Sequence, residues 1–190
     1  MRDRSGVDDA RAQLEPYLLE GESLLWWGRP DPTKHLGKSD FFLVPFSLLW
    51  GGFAVVWEVG VLTSGAPAGF VAFGLVFVAI GLYMIFGRFI VKVRRKRRTA
   101  YGLTDQRVLV AVGSGALSDS PVSHQPIDQR VSRDRRHMTL VVGRSAHGAT
   151  AATLYANTGM EFFAFGGAPI GFYDVADVTG LTGALGRVRR

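Results

Sequence analysis

Between Phe41 and Gly87 the chain carries a single formal charge, Glu58. No other feature limits the fold so strongly. A soluble helix keeps a polar stripe toward water, and neither half of this stretch has one. A bilayer-crossing helix needs about 20 mainly apolar residues, because ~1.5 Å of rise each must cover ~30 Å of hydrocarbon. Residues 41–62 and 67–91 each meet that length. Thr63-Ser-Gly-Ala66 between them is uncharged. The pattern predicts a tight transmembrane hairpin over 41–91, with Pro67 in the first turn of its second helix, where a missing N–H costs nothing. Glu58 lies about one turn from the far end of the first span and is expected to reach the interface. An acid at such a site is otherwise a candidate for proton or ion handling, or for contact with a neighbouring subunit. Gly51, Gly52 and Gly60, opposite Ala72, Gly74 and Gly81, are expected to let the helices approach closely.

The hairpin is followed at once by Lys92-Val-Arg-Arg-Lys-Arg-Arg98. The net charge of the whole chain is +6, and this block supplies six cations: Lys92, Arg94, Arg95, Lys96, Arg97 and Arg98. The basic balance is therefore local, and it argues for a local partner. Arg29, Lys34 and Lys38 precede the first span, and the turn has no basic residue. This asymmetry predicts both termini on the cytoplasmic side of a multi-pass protein. Residues 92–98 read as a polybasic juxtamembrane anchor attracted to anionic headgroups. Nucleic acid is not an expected partner, since a block against the membrane offers a duplex poor access and no reading motif accompanies it. No short apolar segment of the signal type sits at the amino terminus.

The flanks have a different texture. Residues 1–20 read as flexible or short-helical, with Ala10–Leu19 as the helical candidate. Residues 21–40 contain an apolar run, Ser23–Trp27, bounded by Gly and Pro, which predicts a strand. This strand is a candidate to join the domain formed by residues 99–190. There, Thr99–Leu103 and Arg107–Val112 predict a hairpin around Thr104-Asp105-Gln106. Gly113–Pro121 reads as a loop, Val122–Val131 alternates weakly, and Met138–Val142 is a clear strand. Leu154–Ala156 and Met160–Phe165 are candidates for a last hairpin, and a helix is expected from Asp174 to Leu185 on the spacing of Val175, Val178, Leu181 and Leu185. The fold class is α+β: a two-helix transmembrane hairpin plus a small bent antiparallel sheet closed by a helix.

Catalytic chemistry has little to rest on. The chain has no cysteine, which removes disulfides and thiolate metal sites. His35, His124, His137 and His147 do not show metal-ligand spacing. Ser123 and His124 are neighbours, which on a strand point to opposite faces and make a poor nucleophile–base pair. No catalytic residue, metal or cofactor is expected. Arg130, Arg133, Arg135 and Arg136 form a second basic cluster, either a solvated turn or a patch for an anionic partner. Arg107 is expected to pair with Asp105 or to cover the sheet edge.

Three pieces of sequence carry a resemblance: Gly21-Glu22 with Trp26-Trp27-Gly28-Arg29-Pro30, then Tyr101-Gly-Leu-Thr-Asp-Gln-Arg-Val-Leu109, then Phe172 leading into the terminal helix. Together with the hairpin they resemble bacterial membrane proteins with a pleckstrin-homology-like domain, over roughly residues 14 to 186. The resemblance implies a bent seven-stranded sheet capped by a carboxyl-terminal helix, in a binding or scaffolding module without catalytic residues. The expected function is a non-catalytic, PH-like binding or scaffolding protein of the bacterial inner membrane. Its partners would be the bilayer and its anionic headgroups, a protein or peptide, or further copies of itself. The competing readings are a membrane enzyme or processing factor with an interfacial site, and a small oligomeric channel or transporter subunit using Glu58.

Overall fold

The computed structural model describes residues 4–123, 125–143, 154–163 and 169–188. Residues 144–153, whose Gly, Ala and Thr content reads as a loop, lie outside them, as do His124 and residues 164–165 of the expected last hairpin. The apolar centre forms two long antiparallel helices. Helix α2 spans Asp40–Thr63. The second begins as α3 at Ala68–Leu82, passes through a π-helical turn at Tyr83–Gly87, and continues as α4 over Arg88–Arg98. It thus runs unbroken for 31 residues. The polybasic block is its last turns rather than a separate linker. Both helices are long and apolar enough to cross a membrane, and only 28% and 17% of their most apolar windows are buried within the protein.

Close helix contact is achieved at particular glycines. A Cβ on Gly81 would stand 2.9 Å from the Gly51 Cα, so the two backbones touch there. Gly74 faces Trp57 and Glu58, whereas Gly52 and Gly60 face open space. Glu58 itself is 5% exposed and wedged against α3, with no hydrogen-bond partner on either carboxylate oxygen among the described residues. The Gly74 surface leaves a recess between the helices, and the Glu58 side chain fills it instead of facing outward.

Strand β1, Leu24–Gly28, pairs antiparallel with β2, Thr99–Thr104, at Trp26–Leu103, Trp27–Gly102 and Gly28–Tyr101. Two strands some seventy residues apart in sequence are thus hydrogen-bonded neighbours, and the whole hairpin is inserted between them. Both flanks consequently lie at one end of the helices. Strand β3, Arg107–Val112, follows β2, and β4, Ala116–Pro121, completes a four-stranded sheet in the order β1-β2-β3-β4. The second sheet has the order β5-β6-β7, with β5 at Ile127–Val131, β6 at Met138–Val142 and β7 at Gly171–Val175. A bridge between Pro30 and Val175, and the Asp31 N–H donating to the Asp174 carbonyl at 2.9 Å, join the sheets along the β1 and β7 edges.

Helix α5, Val178–Val188, buries Leu181, Ala184 and Leu185. The core between it and the sheets contains Trp26, Tyr101, Leu103, Met138, Leu140 and Phe172. The Phe172 ring lies 4.8 Å from Tyr101 and 5.6 Å from Trp26. Each such ring removes a large apolar area from water. Helix α1, Arg4–Leu14, covers the opposite face of the first sheet: Ala10 and Leu14, one turn apart, are fully buried with Ala100, Leu109 and Ala111. Gln13 donates to the Arg98 and Gly113 carbonyls.

Several expectations change. The amino-terminal helix starts earlier than Ala10, ends before Pro16, and is packed rather than loose, because the β2–β3 face supplies an apolar partner. The 113–121 loop contains β4, whose residues are poor strand formers recruited by the free edge of β3. The terminal helix begins at Val178, not Asp174. Asp174 and Val175 belong to β7, and Asp177 caps the helix by accepting from the Gly180 N–H at 3.3 Å. The expected last hairpin is absent where described: residues 156–159 form a turn and Glu161–Phe163 a short 3-10 helix.

Candidate functional site

Residues Arg88, Lys92 and Lys96 recur every four positions, so a continuous helix places them on one face. That face turns inward. Arg88 is fully buried, and Lys92 and Lys96 are each 3% exposed. Asp40, in the first turn of α2, binds Arg88 through Oδ1 and Lys92 at 3.3 Å through Oδ2. Lys92 also donates to the His35 carbonyl at 2.7 Å. One turn further on, Lys96 reaches Asp174 Oδ2 at 2.7 Å and the carbonyls of Lys34 and Asp31 at 2.7 and 2.9 Å. These bonds offset the cost of removing the ammonium groups from water, which is several kcal/mol per ion when unpaired.

Asp174 is the hub of the second cluster. Its φ of 55° lies in the left-handed region, which Asp tolerates better than most residues. The irregular β6–β7 register falls beside it, between Met138 and Leu140. The carboxylate accepts from Lys96, from Lys34 at 2.8 Å and from Asn157 at 2.7 Å. Burial alone would raise its pKa; these donors outweigh burial and hold it below the ordinary value. In each cluster two cations face one carboxylate, so positive charge is left over where the helix meets the sheets.

Among the described residues, a cavity of about 320 Å³ opens beside these clusters, lined by Lys92, Arg95, Lys96, Tyr101, Asn157 and Tyr173 among others. Its floor is the gap between β2–β3 and β7, and its wall is the carboxyl-terminal end of α4. Arg95 stays 45% exposed at the rim and pairs with Glu161 at 3.3 Å. Tyr101 is buried, which pushes its phenol well above the usual range, and its oxygen accepts from the Tyr173 N–H. Burial pushes the Tyr173 phenol up to about 12. Both rings therefore stay neutral and act as apolar walls with one polar edge.

The structure thus divides the expected headgroup-binding set. Lys92 and Lys96 are occupied inside the protein, a result of helical register combined with Asp40 and Asp174 from distant segments. Arg94, Arg97 and Arg98 remain exposed, as does Arg95 in part. The second cluster lies exposed, Arg130 on β5 and paired to Asp128 at 2.6 Å, and Arg133, Arg135 and Arg136 on the β5–β6 turn. That turn is tied to the segment entering α2 by His137, whose Nε2 lies 2.8 Å from Asp31 Oδ2. Burial would raise the Asp31 carboxyl, but bonds from His137 and Thr33 bring it down to about 2.

Arg107 pairs with neither Asp105 nor an open edge. Its Nε and Nη2 grip Glu22 at 2.9 and 3.0 Å, its Nη1 meets Asp119 at 2.9 Å, and Nη2 also reaches the Tyr17 carbonyl. Asp105 instead accepts from the Ser23 N–H. The conspicuous Thr-Asp-Gln-Arg turn is a structural clasp holding residues 17–23 to the sheet. The spacing of Arg88, Lys92 and Lys96 was the available signal for the buried stripe; it becomes visible only if the second helix is extended through the basic block. Among the described residues no group of three His, Asp or Glu side chains is placed to hold a metal ion. Comparison of the chain with protein-family models, with curated proteins and with solved structures gives no match.

Proposed function

We propose that this chain is a membrane-anchored, non-catalytic binding or scaffolding protein of a bacterial inner membrane. In this reading α2 and the α3–α4 helix cross the bilayer, both termini are cytoplasmic, and a PH-like domain sits at the membrane surface. One observation carries it: the most apolar windows of the two long helices are only 28% and 17% buried by the protein itself. A core helix of a soluble protein is covered by its own fold. Here Leu49, Phe53, Val56 and Phe73 face outward, each more than half exposed, and an exposed apolar surface of that extent marks a membrane or partner contact. The four-plus-three strand order and the closing α5 support the PH-like reading. The cavity beside Arg95, with its surplus of positive charge, fits an anionic ligand, and a phospholipid headgroup is the nearest source.

Single cysteines in this cysteine-free chain test the anchor. Ser64→Cys, in the turn between the helices, should react with an impermeant maleimide on intact cells, and Gln106→Cys only after permeabilisation. The opposite pattern, or equal labelling, refutes the topology. For the ligand, protein extracted in mild detergent should retain anionic phospholipid by native mass spectrometry, and Arg95→Glu should lose it. Retention unchanged by that substitution removes the headgroup ligand while leaving the anchor.

A further inference from the structure

The turn at residues 156–159 is bonded to β7 through Asn157 and, with the 3-10 helix after it, reaches down onto the helical hairpin. Met160 is buried with Leu43 of α2 and Met84 of the π-helical turn. The Gly159 carbonyl accepts from the Tyr83 hydroxyl at 2.5 Å. A Cβ on Gly159 would collide with the Arg88 backbone, and its φ of 83° independently requires glycine. These contacts fix the segment at the level of residues 83–88. Gly87 lacks the side chain that would displace the Tyr83 ring. Against that ring lies Phe162, with centroids 5.7 Å apart, and Phe162 is still 64% exposed.

That level lies within the apolar belt. At ~1.5 Å per residue, Arg88 is about 30 Å along the helix from Ala68, the thickness of a hydrocarbon core, and Tyr83 is roughly 7 Å short of it. The exposed apolar side chains continue past this level, to Phe41 on one helix and to Ile90 and Val91 on the other. Phe162 therefore continues the outward apolar surface of the hairpin, although it comes from the sheet domain. We infer that residues 154–163 form a membrane-dipping segment that seats Phe162 among the lipid chains just inside the headgroups of the near leaflet. This rests on the reading of the hairpin as bilayer-crossing. The sheet domain would then be held to the lipid at a third point besides the two helices, which fixes its tilt and presents the Arg95 cavity to the headgroups.

Three single-cysteine variants carrying an environment-sensitive fluorophore, reconstituted into phosphatidylcholine–phosphatidylglycerol vesicles, test the inference. Spin labels are placed shallow or deep on the acyl chains. Leu49→Cys, exposed at mid-helix, should lose fluorescence to the deep label. Phe162→Cys should lose it to the shallow label, and Gln106→Cys, on the distant β2–β3 turn, to neither. Quenching at residue 49 without quenching at 162 overturns the inference and leaves the anchor standing. Equal quenching at 162 and 106 also overturns it, because the whole domain would then lie on lipid. Absence of quenching at 49 refutes the bilayer crossing and this inference with it.

Discussion

Glu22→Gln is the most informative single perturbation of the sheet domain. Glu22 Oε1 accepts from Arg107 Nε at 2.9 Å and from the Thr104 hydroxyl at 2.7 Å, and Oε2 accepts from Arg107 Nη2 and the Leu19 N–H. The Arg107 bonds, with help from Leu19 and Thr104, outweigh burial and lower its carboxyl from an ordinary 4.5 to about 2. At ~1.4 kcal/mol per pH unit this is worth on the order of 3 kcal/mol of folding stability. An amide keeps the shape, but in either orientation it turns its NH2 toward an Arg107 N–H. Arg107 retains Asp119 and the Tyr17 carbonyl, which caps the loss near that figure. The assay is urea unfolding in micelles, followed by Trp26 and Trp27 fluorescence in a background with Trp50 and Trp57 replaced by Phe. The sign is set by the lowered pKa: the contribution is complete above pH 4.5 and disappears as pH falls toward 2. The gap between wild type and Glu22→Gln should therefore be about 3 kcal/mol at neutral pH and close over that window. Asp31 and Asp174 are lowered too, so both proteins lose stability in acid, but the wild type should do so more steeply. A variant as stable as wild type at neutral pH, or a gap that does not change with pH, refutes the clasp.

Two further outcomes follow from the same contacts. The fragment 99–190 lacks β1 and α1, leaving the β2 edge unpaired and Leu109 uncovered, so it should show no cooperative unfolding; co-expression with residues 1–35 should restore it, as read by urea denaturation. Gly81→Leu forces apart the Gly51–Gly81 contact and should cost about 1–3 kcal/mol as overpacking, whereas Gly60→Ala, which faces open space, should leave thermal stability in detergent unchanged.

Legibility differed by element for physical reasons. The two long helices could be read because an apolar run of some twenty residues is a local property of the segment itself. The β2–β3 pair could be read because alternation and a turn sequence coincide. Strand β4, Ala-Leu-Ser-Asp-Ser-Pro, has no such pattern; it is a strand because β3 offers six residues of open edge. Strand β7 was hidden because Val175 fits a helical repeat with Val178, yet β6 claims it first. Of the candidate site, the charge of residues 92–98 was plain in the sequence. Which cations point inward was not, since their partners Asp40 and Asp174 lie 52 and 78 residues away from Lys92 and Lys96.

What the sequence determined by itself is the pair of apolar helices and the concentration of positive charge at the end of the second, because composition over twenty residues suffices for both. The tertiary structure alone decided that β1 and β2 are neighbours across the inserted hairpin, that Arg88, Lys92 and Lys96 are consumed in buried ion pairs, and that a turn near residue 160 comes to rest on Tyr83. Each of these depends on groups far apart along the chain, and only the folded geometry brings them within bonding distance.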